Sequence, residues 1–193
     1  MLYLVVVILG AAFGIVAKGR ISNIINLKFE KLWLLLIVVI IQTAIRVLAL
    51  RGLIDAQKYS FIVHGAAFAL LLIVLWYNRK LLGILVIGIG SLANILVMMV
   101  NGGMMPVSSQ LLKNTGGLSS SLELLKSGTD GKHILINETT KLRFLADIIE
   151  MPPFIGWLMP IVSIGDLVVA VGIFLLVFFA VKDTQRPWLQ NRK

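Results

Sequence analysis

Six polar side chains interrupt or end the long apolar stretches of this chain of 193 residues, and they are its best candidates for chemistry. They are Gln42, Arg46, His64, Asn94, Asn101 and Asp166. The set holds a fixed cation, a carboxylate, an imidazole and three amides, groups that recognise a small polar or amphiphilic ligand through charge and hydrogen bonds. We therefore predict that these residues form a ligand-binding site.

Each candidate also has a structural interpretation. Ser163 and Asp166 stand three residues apart, as in a capping box, where each side chain bonds the other residue's backbone amide at a helix start. Arg46 can extend its long stem to lipid headgroups, and His64 can be a hydrogen-bonded interior residue. Bonds between neighbouring helices would explain the amides Asn94 and Gln42. The sequence leaves both interpretations open.

Enzymatic chemistry has little support in the sequence. His64 and Asp166 can serve as acid or base, but the chain offers no activated nucleophile and no closely spaced pair of carboxylates. It contains no cysteine, which excludes thiolate nucleophiles and cysteine metal ligands. The second histidine, His133, is distant in sequence from the first. We predict no catalytic residue, no metal site and no cofactor.

Composition places these residues in a membrane protein. Hydrophobic residues make up 59% of the chain and its mean hydropathy is +0.97, which leaves too little polar surface for a soluble domain. We predict an all-α integral membrane protein, a single domain over residues 1–193 with about five transmembrane helices. The predicted spans are 1–17, 32–50, 59–77, 81–100 and 163–181, with an external loop at 101–162 and a cytoplasmic tail at 182–193.

The net charge of +9 is distributed unevenly among the segments that connect the predicted spans. Basic residues are in excess after the first span, between the third and fourth spans, and in the tail, whereas the alternate segments are nearly neutral. Positive charge stays on the cytoplasmic side, so we predict an external N-terminus and a cytoplasmic C-terminus in a multi-pass membrane protein. This pattern leaves no support for nucleic-acid binding. The positions of the aromatic residues support this orientation, because amphipathic rings prefer the membrane boundaries. They fall at the predicted outer boundaries (Tyr3, Tyr59, Trp157) and at the inner ones (Trp33, Trp76, Tyr77).

The polar residues of the spans gather in the outer half of this predicted bundle. From a helical rise of about 1.5 Å per residue, they lie roughly 5 Å (Asp166), 7 Å (Arg46, His64), 10 Å (Asn94) and 13 Å (Gln42) below the outer boundary. Because buried polar groups face a bundle interior or a wet cavity, we expect a polar layer that opens outward. In this layer we expect Arg46 to pair with Asp166.

The segment after the fourth span predicts a helix stop followed by an ordered loop. Asn101 and the two glycines after it permit left-handed backbone, and Pro106 blocks continuation of the helix. Farther on, "SSLELLKS" predicts a short amphipathic turn, and the piece from Pro152 to Pro160 is too short to span a membrane, so we expect it to lie at the outer interface. The loop is expected to cover the polar layer.

Several ordered motifs resemble a known family. "RISNI" at 20–24, "NGGMMPV" at 101–107, "HILINETTKLRFLADIIEMPP" at 133–153 and "SIGDLVVAVGIFLLV" at 163–177 are similar to the bacterial membrane family catalogued as domain of unknown function 5317. The chain departs from the family's usual form near Ala146, where the family has glycine before the aspartate and Ile-Pro after it. The resemblance implies a small polytopic protein of bacterial plasma membranes and supplies no activity.

Three functions remain open on the sequence alone. In the first, the outer site binds or translocates a small polar or lipid-like ligand. In the second, the chain is an accessory or sensor subunit whose small-residue faces, at Gly10 with Gly14 and at Gly65 with Ala69, dock to a partner membrane protein or a second copy. In the third, His64 and Asp166 serve a membrane-embedded enzyme. Membrane lipid is a partner in all three.

Overall fold

The computed structural model describes residues 2–114, 131–152 and 160–183. Its helices are α1 (Leu2–Val16), α2 (Trp33–Leu50), α3 (Ala56–Tyr77), α4 (Ile84–Val100), α5 (Ser109–Asn114) and α6 (Ile164–Val181). Short 3₁₀ helices cover Ile21–Asn26 and Arg143–Leu145, and the strands are β1 (Met105–Val107), β2 (His133–Leu135), β3 (Ile149–Glu150) and β4 (Ile161–Val162). The fold is therefore mostly helical.

The five predicted apolar stretches coincide with the five longest helices of the described ranges. Three of these, at Trp33–Leu50, Gln57–Tyr77 and Ile164–Val181, are long and apolar enough to cross a membrane. The other two, α1 with 15 residues and α4 with 17, are apolar but shorter. The apolar composition of each stretch was sufficient to locate its helix.

Helix α6 is the centre of the bundle, and glycines bring two neighbours close to it. Gly83, immediately before α4, and Gly90 of α4 meet Gly172 and Gly165 of α6, so these helices run antiparallel with backbone against backbone. A Cβ atom on Gly90 would lie 2.5 Å from the carbonyl oxygen of Gly165. On the other side, Gly10 of α1 approaches the carbonyl oxygen of Phe174 in the same manner, and α1 runs parallel to α6. Side chains larger than glycine would separate the three helices.

Helices α2 and α3 form an antiparallel hairpin outside this central trio. Asp55 caps α3, since its Oδ1 accepts bonds from the backbone N–H groups of Gln57 (2.9 Å) and Lys58 (3.2 Å). Helix α3 packs on α4 through an apolar cluster that includes Leu75 and Ile84. Helix α2 packs mainly on α3, and only 6% of its span is buried inside the protein. The surface of α2 is therefore almost entirely open.

The segment after α4 stops the helix as predicted and then folds into short strands. Gly102 and Gly103 have φ angles of +75° and +84°. Strand β1 pairs in parallel with β2 and forms a further parallel bridge from Val107 to Asp147, while β3 and β4 pair antiparallel. The predicted order of the loop is thus confirmed where it is described. The predicted turn "SSLELLKS" and most of the piece from Pro152 to Pro160 lie outside the described residues.

These strands cover one end of the bundle, which we call the loop end. There α1, α3 and α6 begin, and α2 and α4 finish. At the opposite end, the carbonyl oxygen of Val181 accepts bonds from the Arg20 backbone N–H (3.0 Å) and from Asn23 Nδ2 (2.7 Å). These bonds satisfy an unpaired carbonyl at the end of α6. The polar residues of interest belong to the loop end.

Candidate functional site

Four polar side chains join α1, α4 and α6 near the start of α6, and we call them the helix network. Asp166 Oδ1 accepts hydrogen bonds from the Tyr3 hydroxyl and from Asn94 Nδ2, both at 2.9 Å. The Ser163 hydroxyl donates to Asn94 Oδ1, also at 2.9 Å. One carboxylate therefore links three largely apolar helices.

The capping interpretation of Asp166 is confirmed, and so is the interhelical interpretation of Asn94. The Asp166 backbone N–H donates to Ser163 Oγ at 3.0 Å, and the Ser163 backbone N–H donates to Asp166 Oδ2 at 3.2 Å. The two carboxylate oxygens divide these tasks, Oδ2 for the cap and Oδ1 for α1 and α4. Gly165 makes the arrangement possible, because a Cβ there would collide with the Asn94 side chain.

The ion pair expected between Arg46 and Asp166 is not formed. Arg46 is exposed on α2, and it has no ion pair or hydrogen bond within the described ranges. Gln42, one turn earlier on the same helix, is half-buried. Because α2 packs mainly on α3, these two residues belong to the outer hairpin, and the helix network includes neither of them.

Asn101 and His64 lie closer to the loop than Asn94 and Asp166 do. Asn101 follows Asn94 by two helical turns, about 10 Å along α4. Its Nδ2 donates to the Lys141 carbonyl oxygen (2.9 Å), and its Oδ1 accepts from the Lys141 backbone N–H (3.0 Å), so it fastens the loop to α4. His64 lies beside the backbone of Gly103 at this upper level. The predicted polar layer is therefore spread over two levels.

A second polar group, which we call the loop site, lies between α3 and the strands. It comprises His64, Lys132, His133 and Asp147. His133 Nε2 lies 3.9 Å from Asp147 Oδ2, and the charges of Lys132 and His133 act on both His64 and Asp147. The loop site therefore combines residues from a helix, a strand and the bridge segment.

Strand pairing places Asp147 in the interior. Its backbone N–H donates to the Pro106 carbonyl oxygen at 2.9 Å, and its carbonyl oxygen accepts from the Ser108 N–H at 3.1 Å. These bonds to the β1 segment leave the residue only 8% exposed. Its Oδ1 is buried without a hydrogen-bond partner, and the same is true of His64 Nδ1. Within the described ranges, no other buried side-chain nitrogen or oxygen is left unpaired.

Burial changes the acid–base behaviour of Asp147. Desolvation, assisted by the negative charge of Asp166, raises the pKa of the Asp147 carboxyl group to about 7, against the opposing charges of His133 and Lys132. This carboxyl group can therefore gain or lose a proton near neutral pH. No three potential metal ligands cluster in the part of the chain that the structure describes. Hydrogen bonding and proton exchange are thus the chemistry that the loop site offers.

The sequence prediction missed the loop-site residues Lys132, His133 and Asp147, and it treated Tyr3 only as an interfacial aromatic. A signal was present for Asp147, which interrupts an apolar run, "FLADIIEM", outside any predicted span. An acid in such a run is buried or exposed according to how the segment pairs. That pairing, with β1 some forty residues earlier in the chain, has no local signature.

One comparison with known proteins identifies a family, and none gives an activity. The model described as "Family of unknown function (DUF5317)" matches residues 26–178. An uncharacterized protein of Thermotoga maritima is 28% identical over 168 residues, which cover 86% of this chain and 84% of the relative. No solved structure matches the chain. The match includes the loop site, Asn94 and Asp166 but begins after Tyr3.

Proposed function

Because the chain belongs to the DUF5317 family, whose function is unknown, we propose a role from its own residues: a membrane protein that binds a small polar or amphiphilic ligand at the loop site. The observation that carries this proposal is the buried Asp147 Oδ1, which has no hydrogen-bond partner. A buried polar atom without a partner costs about 1–3 kcal/mol. A ligand that donates a hydrogen bond to this oxygen recovers that cost.

The charge of the loop site indicates which ligands it suits. Lys132 and His133 offer donors on one side, and Asp147 offers an acceptor or, when protonated, a further donor. Exposed Lys132 marks the side nearest to solvent. A ligand with both donor and acceptor groups matches this set better than a simple ion does. We therefore place Asp147 at the centre of the proposed site, keep His64 as a candidate ligand contact, and assign Asn101 to fastening the loop.

Binding is favoured over translocation by the composition below the helix network. From Leu167 to Val181, α6 carries only apolar side chains and glycines, and α1 is equally apolar from Leu4 to Val16. The close glycine contacts between these helices exclude water. A polar ligand would have no hydrogen-bonding partner along this route, so the proposed site is open to the loop end alone.

The proposal includes five spans with the loop on the external face of a bacterial plasma membrane. Since the chain has no cysteine, single cysteines can report topology with an impermeant thiol reagent. In intact cells we expect Leu53→Cys and Glu138→Cys to be labelled, and Lys80→Cys to be labelled only after permeabilisation. Labelling of Lys80→Cys in intact cells, with protection of the other two, would reverse the proposed orientation.

Ligand binding is tested by native mass spectrometry of gently extracted protein. We expect Asp147→Asn and His64→Leu each to lower the occupancy of a copurified small molecule about tenfold or more, since the first replaces one carboxyl oxygen with an NH2 group and the second removes both ring nitrogens. The matched control is Glu138→Gln, the same type of change on an exposed loop residue, which should leave occupancy unchanged. Equal occupancy in all three variants would contradict a ligand at the loop site.

The accessory-subunit alternative loses part of its basis. Gly10 and Gly14, one of the two small-residue faces on which it rested, are occupied by α6 within the same chain. A Cβ atom added to Gly65 would lie 3.8 Å from the sulfur of Met99, so that face is directed at α4. What still favours the alternative is the open surface of α2, which lipid would cover equally well. For the enzyme alternative, His64 and Asp166 belong to separate levels of the bundle.

A further inference from the structure

Two acidic residues influence each other electrostatically where the loop meets the helices. Asp147 belongs to the loop and Asp166 to α6. The negative charge of Asp166 acts on Asp147, and the charges of both residues act on Tyr3. Asp166 has its hydrogen bonds supplied by the helices. Asp147 Oδ1 has none. The loop therefore brings an incompletely bonded carboxyl group toward a carboxylate that is already committed.

The remaining groups around Asp147 do not neutralise it fully. Lys132 and His133 of the β2 segment carry the opposing charges, with His133 at 3.9 Å, too long for a hydrogen bond, and with Lys132 exposed to solvent. Tyr3 of α1 donates its hydroxyl to Asp166, and β1 contributes only Met, Pro and Val. With the loop in place, a charged Asp147 is unfavourable and a protonated one is favourable.

In the described part of the loop, the Asp147 side chain can respond to pH at this position. Backbone hydrogen bonds hold the Asp147 segment to β1 regardless of pH. The contribution of the Asp147 side chain to loop closure depends instead on whether its carboxyl group is protonated. We propose that residues 131–152 of the loop are a proton-linked lid: a proton on Asp147 holds this segment against the helix ends, and loss of that proton weakens its closure. This goes beyond ligand binding, because it states when the loop site becomes accessible.

The direction of the pH dependence follows from linkage. Burial raises the pKa of Asp147 to about 7 in the closed protein, whereas an Asp147 exposed in an open loop has an ordinary carboxyl pKa of about 4. The closed form thus holds more protons between these values. Closure is complete at low pH, weakens by up to about tenfold per pH unit between about 4 and 7, and changes little at higher pH.

A buried thiol measures this opening directly. Ala146 is 0% exposed, so Ala146→Cys reacts with a thiol reagent only when the loop lifts. Its labelling rate is divided by that of Glu138→Cys, an exposed position in the same loop, which removes the intrinsic pH dependence of thiolate formation. We expect this ratio to rise on the order of a hundredfold from pH 5 to pH 7 and then to level off.

The decisive comparison adds Asp147→Asn, which is neutral at every pH. In that background we expect the ratio to stay low and flat from pH 5 to pH 8. A flat ratio with Asp147 present, or an unchanged rise in Asp147→Asn, would overturn the proposal. If Ala146→Cys does not fold, Val107→Cys, at a position 5% exposed on β1, serves as the reporter with the same expectations. No ligand is added, so failure here leaves the binding proposal standing.

Discussion

Alanine at Gly90 is expected to destabilise the protein by about 1–3 kcal/mol, the usual cost of an overpacked core. The new methyl group would lie 2.5 Å from the Gly165 carbonyl oxygen and 2.7 Å from the Val169 backbone nitrogen. Both atoms belong to the backbone of α6 and cannot rotate away, so α4 and α6 must separate. Thermal unfolding in a mild detergent should show a decrease in Tm of roughly 5 °C.

Gly88 provides the matched control, two residues earlier on the same helix. A Cβ there would find its nearest neighbour, Leu75 Cδ1, at 4.0 Å, an ordinary van der Waals distance. Gly88→Ala should therefore leave stability unchanged or raise it by up to about 1 kcal/mol, since alanine favours the helical backbone. Equal Tm values for the two variants would mean that α4 does not approach α6 as closely as the structure indicates.

The helices were predictable because lipid-like composition is a local property. Each apolar stretch is long and continuous, so its bounds could be placed within a few residues, and the stop at Asn101 followed from the two glycines behind it. The contacts between helices were predicted less well. Gly10 and Gly14 were recognised as a packing face, but nothing in the sequence indicated that α6 would be their partner.

The polar residues show the same division between local and distant information. The capping box of Ser163 and Asp166 is local, and it was predicted from its spacing. The ion pair of Arg46 with Asp166 required the lateral order of the helices, which depth alone does not give, and α2 proved to lie outside the central trio. Asp147 was missed because its burial depends on a strand pairing across a long loop.

Leucine at Asp166 is expected to destabilise the protein on the order of 4 kcal/mol, the second large effect. The substitution leaves three donors without an acceptor: the Tyr3 hydroxyl, the Asn94 amide and the Ser163 backbone N–H. Each unsatisfied group that stays buried costs about 1–3 kcal/mol. Asp166→Asn keeps one acceptor oxygen for α1 and α4 and loses the cap, so a cost of about 1–2 kcal/mol is expected. Chemical or thermal unfolding measures both variants.

Substitution of Asp55 is the control that separates the capping role of Asp166 from its interhelical role. Asp55 caps α3 through Gln57 and Lys58 and forms no interhelical bond in the described ranges. Asp55→Ala should therefore cost about 1 kcal/mol, the value of a helix cap alone. If Asp166→Leu costs no more than this, the carboxylate is a cap and the bonds from Tyr3 and Asn94 contribute nothing. A cost several times larger, reduced when Tyr3→Phe is already present, assigns the difference to the linkage of three helices.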